Sequence, residues 1–205
     1  LHVHKALENI FLEGVTDRGE IENLVSEIWD ERRFENIYQS AEYKKEAIDL
    51  IYNYMQYNSP ELSTKYYFEE SIRITHGQSV FYGKLDRIDV TSDGKVRILD
   101  YKTSKSKKNS RYAKKDIQLA FYSFLIKNST NLDFEGKIPD TCTLEFVRDF
   151  KDPSVDVAFE SADMIDLTYR IQNIVDAIKK NEFSPKKNVN CFFCEYKKLL
   201  CPLYK

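Results

Sequence analysis

The stretch that most constrains this chain runs from Phe81 to Lys102, FYGKLDRIDVTSDGKVRILDYK. Val80 to Thr91 is strand-like, Ser92-Asp93-Gly94 has turn chemistry, and Lys95 to Tyr101 returns with Val96, Ile98 and Leu99, so a β-hairpin is predicted. Its loop length decides its chemistry. A two-residue Asp-Gly turn pairs Ser92 with Lys95 and sends the Asp86 and Asp100 side chains to opposite faces. A three-residue loop with Gly94 left-handed pairs Thr91 with Lys95 and sets Asp86 opposite Asp100 on one face. We prefer the second, and side-chain alternation then adds Lys102 to that face. Two carboxylates opposed across a ladder repel unless a cation sits between them, and hard divalent cations such as magnesium or manganese take oxygen ligands. A metal site with a lysine beside it is expected, against the plainer reading of an edge hairpin whose charged side chains face water.

Composition bounds what surrounds the hairpin. At 205 residues, 42% hydrophobic and 14% aromatic, the chain is long enough for one ordinary domain with a real core. A net charge of −2 excludes a generally basic nucleic-acid binder, so any contact with DNA must come from local patches. No apolar run approaches the ~20 residues of a membrane span, and no signal peptide is visible, so a cytoplasmic protein without a membrane partner is expected. The chain opens at Leu1, without Met and inside a helical pattern, which reads as a piece of a longer protein.

In chain order, Val3, Leu7, Ile10 and Phe11 have helical spacing over Leu1 to Glu13, and Gly14 is a stop. Glu20 to Phe34 and Ala41 to Tyr57 read as two more helices, the second ending near Asn58-Ser59-Pro60; they supply core and wall rather than chemistry. Lys65 to Thr75 is a strand that turns at His76-Gly77-Gln78 into the hairpin. Asp116 to Lys127 is a helix with Gln118 and Tyr122 on one face. Thr141 to Asp149 and Val155 to Glu160 are strands around the Lys151-Asp152-Pro153 turn, and Ala162 to Lys180 is the last long helix, with Ile165, Leu167, Ile171, Ile174, Val175 and Ile178. The order predicts an α/β fold, a sheet with helices packed around it.

Three blocks carry a family resemblance: Gly83-Lys84-Leu85-Asp86-Arg87-Ile88-Asp89, then Ile98-Leu99-Asp100-Tyr101-Lys102-Thr103, then Gln118 and Tyr122 in QLAFY. In order and spacing they resemble the PD-(D/E)XK nucleases of the RecB type, which include the nuclease domains of RecB and AddB, CRISPR spacer-acquisition exonucleases and phage recombination exonucleases. The resemblance implies a restriction-endonuclease-like core, a central mixed sheet flanked by helices. It places an N-terminal helical region at 1–60, the nuclease core at 61–182 and a tail at 183–205. It also implies a metal-dependent DNA exonuclease in recombination, repair or CRISPR adaptation, acting on DNA with a free end or a single strand, with a possible helicase partner. His4, followed by Leu7-Glu8, matches the family's ligand histidine. His4, Asp86, Asp100 and the Tyr101 carbonyl would hold Mg²⁺ or Mn²⁺, Lys102 would orient water and stabilise the phosphate, and Gln118 and Tyr122 would position Lys102 or a phosphate. Glu69 has the phase of the acidic residue on this strand in related nucleases, with Glu70 as its rival. An inactive DNA-binding or scaffold module is the alternative, as is a metal-independent interaction domain with a zinc tail.

Two polar stretches complete the reading. The loop after Lys102 holds Lys105, Lys107, Lys108, Arg111, Lys114 and Lys115 with little acid, which suits a solvated loop and also attraction of a nucleic-acid backbone. In the tail, Cys191, Cys194 and Cys201 lie too close for a disulfide framework and suit thiolate ligation of a metal. They resemble the C-terminal cluster of AddB-like and CRISPR-type nucleases, which implies a 4Fe-4S cluster in the full-length protein, with its fourth cysteine upstream of the sequence shown. The last gap is one residue longer than the commoner family spacing, and zinc is the inorganic alternative. Cys142 falls on a strand and reads as a small buried side chain.

Overall fold

The computed structural model describes residues 2–58, 64–131 and 133–204; Leu1, Ser59 and Pro60, where helix ends were expected, and the boundary expected at 60/61 lie outside the described residues. The chain divides into two compact units, Leu1–Leu167 and Thr168–Lys205.

The first unit is built on a five-stranded sheet in the order β1 (Thr64–His76), β2 (Ser79–Thr91), β3 (Val96–Lys102), β4 (Thr141–Phe146) and β5 (Ser154–Val157). Neighbours are antiparallel except β3 and β4, which run parallel and therefore need a crossover. The crossover holds the short helix α4 (Ser110–Ala113) and α5 (Ile117–Lys127). Around the sheet stand α1 (His2–Glu13), α2 (Arg18–Ile28) and α3 (Ile37–Met55), and α6 (Ser161–Lys179) follows β5. This is the mixed α/β architecture expected, with an N-terminal helical region.

The two faces of β3 go to different partners because its side chains alternate. Tyr101 faces the N-terminal helices, in one core with Leu7, Ile10 and Phe11 of α1, Val25 of α2 and Ile51 of α3. Lys102 faces α5, whose Leu119, Phe124 and Leu125 are buried. Helix α5 comes so close to β2 that a Cβ at Gly83 would lie 2.4 Å from Leu125 Cδ1. The glycine opening the GKLD block is thus a packing requirement.

The helix-facing side also buries a polar network. Arg87 donates from Nε and Nη2 to both Asp89 oxygens (2.6 and 2.8 Å) and from Nη1 to the Tyr101 hydroxyl (3.1 Å). Its guanidinium also lies over the rings of Phe11 and Tyr66, 4.2 and 4.6 Å from their centroids. Burial alone would lower the Arg87 pKa, but Tyr101 and Asp89 outweigh it and hold the group above its ordinary value. Glu145, equally buried, accepts from the hydroxyls of Tyr54 (2.8 Å) and Ser154 (2.6 Å), which ties α3 to the sheet.

Helix α2 differs from its sequence expectation. It starts earlier, because Asp17 caps it by accepting from the Gly19 and Glu20 amides, and it stops at Ile28 rather than Phe34. Trp29 is extended: its indole N–H donates to Ser40 Oγ (2.9 Å), and its ring stacks on His2 (4.5 Å) and Phe34 (5.1 Å). Helix α3 also begins early, capped by Asn36. Of the apolar positions expected to bury α6, Leu167 is buried, joined by Met164, while Ile165, Ile174 and Ile178 are exposed.

Candidate active site

The hairpin closes with the three-residue loop. Thr91 N–H donates to Lys95 O (3.0 Å), Gly94 N–H donates to Thr91 O (2.8 Å), and Gly94 has φ +80°. Pairing then runs from Val90↔Val96 to Arg87↔Leu99, and the next step along this register brings Asp86 opposite Asp100. Between β1 and β2 the pairs Phe68↔Arg87 and Glu70↔Leu85 bracket Glu69 and Asp86, which face each other without ladder pairing. Glu69, Asp86 and Asp100 thus form one row across three strands; the β1–β2 ladder is interrupted at that row and the β2–β3 ladder ends before it. Like charges directly opposed on a sheet are destabilising, and the backbone departs from regularity where they meet. Glu69 has φ +50°, a left-handed conformation costly for a residue with a Cβ. The Tyr101 N–H donates to the Asp86 carboxylate (Oδ2, 2.9 Å).

Helix α1 delivers His4 to one end of this row, with Nδ1 3.4 Å from Asp86 Oδ2. His4, Glu69 and Asp86 offer ligand atoms that all lie within 4.8 Å of one another, the only such group of His, Cys, Asp or Glu side chains among the described residues. Glu69, not its rival Glu70, belongs to it. Asp100 stands just beyond, 2% exposed, with Oδ2 in an ion pair with the Lys102 ammonium but without a hydrogen-bond partner. Burial pushes its carboxyl up to about 6, Lys102 opposing the rise and Asp86 adding to it. One imidazole nitrogen and several carboxylate oxygens, one of them buried with the Lys102 ammonium as its counter-charge, suit a hard divalent cation of the Mg²⁺ or Mn²⁺ kind.

At the other end, Lys102 Nζ donates to Gln118 Oε1 (3.3 Å), Gln118 Nε2 donates to the Tyr122 hydroxyl (2.8 Å), and that hydroxyl donates to the Lys84 carbonyl (3.0 Å). The chain of bonds fixes the lysine from α5, and it depends on the close approach that Gly83 permits. Burial raises the Tyr122 pKa, so the hydroxyl remains a donor. A second lysine, Lys84, pairs with Glu69; the sequence reading missed it, although it lies two residues before Asp86 on the same strand.

The crossover cations divide into two sets. Lys107 pairs with Asp149 (3.4 Å) and Asp152 (2.8 Å), and Lys114 pairs with Asp163 (2.7 Å). Lys105, Lys108, Arg111 and Lys115 are exposed, with Lys108 over the Tyr112 ring. Cys142 is buried on β4 with Sγ 3.1 Å from Ser123 Oγ, and burial pushes its thiol up to about 11. In the second unit, Cys191 lies in a short 3₁₀ turn, and Cys194 and Cys201 each stand just before another. The Tyr204 hydroxyl is hydrogen-bonded to Cys191 and feels Cys201 and Cys194 as well, which raises its pKa.

No helix among the described residues is long and apolar enough to cross a membrane. A search of curated proteins finds no match. Among solved structures, the crystal structure of SSO0001 aligns over 100% of this chain and 95% of its own at 17% identity, with a TM-score of 0.40. A family model of the PD-(D/E)XK nuclease superfamily matches residues 1–202. With that match across nearly its whole length, the chain belongs to the PD-(D/E)XK nuclease superfamily, a group that cleaves nucleic acid with divalent metals.

Proposed function

We propose that this protein is a Mg²⁺- or Mn²⁺-dependent deoxyribonuclease that degrades DNA from its ends. One observation carries the reading: a row of three carboxylates with a histidine at one end and a helix-anchored lysine at the other. His4, Glu69, Asp86, Asp100 and the Tyr101 carbonyl would hold the metal, which supplies Lewis acidity toward a phosphodiester and a lowered pKa for water. Lys102, held by Gln118 and paired with Asp100, meets the negative charge that grows on the phosphate, and as an ammonium it cannot itself ligate the cation. The Asp86 carboxylate accepts the Tyr101 amide, which fixes its orientation before substrate arrives. Exposed Lys105, Lys108, Arg111 and Lys115 would attract the DNA backbone without reading sequence. Action on ends, in recombination, repair or CRISPR adaptation and with a helicase partner, is supported by the likeness of the GKLDRID and ILDYKT blocks to RecB-type enzymes.

The test compares linear with covalently closed DNA in Mg²⁺ and in EDTA. Linear DNA should be lost only with metal, and Asp86→Ala and Asp100→Ala should abolish the loss while DNA binding survives. Cleavage persisting in either variant sinks the assignment, and equal attack on closed circles sinks the exonuclease part. We further propose that Cys191, Cys194 and Cys201 ligate a 4Fe-4S cluster in the full-length protein, supported by the C-x2-C-x6-C spacing of the tail and its likeness to AddB-like nucleases. Anaerobic full-length protein should be brown and Cys194→Ala colourless; a colourless wild type containing zinc would reject iron there.

A further inference from the structure

A cavity of about 280 Å³ opens beside the carboxylate row, walled by His2, Lys5, Asp30, Arg33, Glu69 and Lys84. It shares Glu69 with the metal-ligand group, so whatever occupies it lies next to that group. Three cations from three separate elements converge on it: Lys5 from α1, Arg33 from the turn after α2, and Lys84 from β2. Each is about half exposed, and their acidic partners leave them partly free. Asp30 gives both oxygens to Arg32 (2.8 and 3.2 Å) and touches Arg33 only at 3.4 Å. Lys84 is held by Glu69 alone among the pairs formed here, and Glu69 is a carboxylate that a metal would claim. The three cations face three acids, Glu8 on Lys5, Asp30 on Arg33 and Glu69 on Lys84, and the balance turns positive when Glu69 is spent on a cation.

The rest of the wall is Ile28 and the ring of His2, the one aromatic side chain that lines the cavity, and His2 is itself stacked on other rings. The His2 ring stacks on Trp29 at 4.5 Å, and Trp29 stacks on Phe34 at 5.1 Å with 9° between planes. The Asp30 N–H donates to His2 Nε2 (3.3 Å), which sets the plane of the ring. Cations that hold a phosphate beside a ring platform are the pattern by which proteins bind single-stranded nucleic acid, since every base has a face to stack. A site of this size takes one nucleotide-sized group, below the range of larger ligand pockets.

We propose that this cavity binds one unpaired nucleotide next to the scissile phosphate, its phosphate on Lys5, Arg33 and Lys84 and its base laid on the His2 ring that Trp29 backs. The proposal rests on the nuclease reading for its place in the reaction, and it makes a frayed or single-stranded end the preferred substrate. Trp29 is the chain's single tryptophan and stacks on His2, so its emission reports the occupant through that ring.

The experiment titrates wild type and the Lys5→Ala/Arg33→Ala double variant with a short oligothymidylate in EDTA, following Trp29 fluorescence over a range of salt. Wild type should show saturable quenching. The double variant should bind about tenfold more weakly, and its salt slope should fall by about 0.7, as for one lost single-strand phosphate contact. In Mg²⁺, KM for the single strand should rise while kcat stays within about twofold. Unchanged affinity and salt slope in a double variant that cleaves normally would overturn the proposal and leave the nuclease reading standing. A blunt duplex that quenches Trp29 as well as the single strand does would overturn it too. If wild type degrades no DNA in Mg²⁺ yet binds the oligothymidylate through Lys5 and Arg33, the pocket stands and the nuclease reading falls.

Discussion

Asp100 is where function and stability pull against each other. Its carboxyl is 2% exposed and titrates at about 6 instead of 3.8, chiefly because burial penalises the charged form. At 1.36 kcal/mol per pKa unit, the ionised group costs the metal-free fold about 3 kcal/mol at neutral pH. Because the pKa is raised, the folded state holds more protons than the unfolded chain between about 4 and 6, and stability falls as pH rises through that window and levels off above it. Asp100→Asn keeps the shape and removes the charge. In EDTA at pH 7 it should melt roughly 6–12 °C above wild type, at about 2–4 °C per kcal/mol for a chain of this size. The gap should close as pH is lowered to 4, where wild type is protonated as well. Circular-dichroism melts at pH 4, 5.5 and 7 decide this, and the same preparations should show cleavage lost in the variant. A variant that melts at or below wild type at pH 7 would refute the burial argument.

Three further outcomes follow from the same geometry. Lys102→Ala should lower the cleavage rate by orders of magnitude with metal affinity unchanged, and Lys102→Arg should not restore it, because a planar fork replaces a compact charge; metal titration showing lost binding would reverse the assigned role. Glu69→Gly and Glu69→Ala should both weaken metal binding, but the glycine variant should be the more stable by about 1 kcal/mol, since only glycine sits in the left-handed conformation without strain; equal denaturation midpoints would count against strain there. Gly83→Ala should cost about 1–3 kcal/mol by forcing Leu125 aside, and it should reduce cleavage because Tyr122 and Gln118 move with α5; full activity in a destabilised variant would separate the packing from the chemistry.

What could be read from the sequence was the part written in local chemistry. Ser92-Asp93-Gly94 named the loop, the loop set the register, and alternation put Asp86, Asp100 and Lys102 on one face. The spacing of Gln118 and Tyr122 likewise announced a shared helix face, and the structure brings Gln118 to Lys102. Glu69 over Glu70 was not legible, because it turns on a positive φ at a residue type that rarely takes one. The overlong α2 arose because Trp29 and Phe34 continue an apolar pattern whose purpose is a ring stack with His2 rather than a helix face. Arg87, Asp89 and Glu145 look like solvent-facing charges in a strand, and only the tertiary fold shows them buried in pairs. Lys5, Arg33 and Lys84 are too far apart in sequence to suggest a common cavity.

The three-residue loop between Thr91 and Lys95 also guards against a rival fold of the same chain. If Asp93-Gly94 alone formed the turn, Ser92 would pair with Lys95, and every aspartate, histidine and lysine would remain in the sequence. Asp86 and Asp100 would nevertheless project to opposite sides of the sheet, because a slip of one residue turns a strand's side chains over. The Gly94 amide on the Thr91 carbonyl is therefore a register lock, and its loss would yield a protein that passes any inspection of motifs yet cannot assemble its carboxylate row.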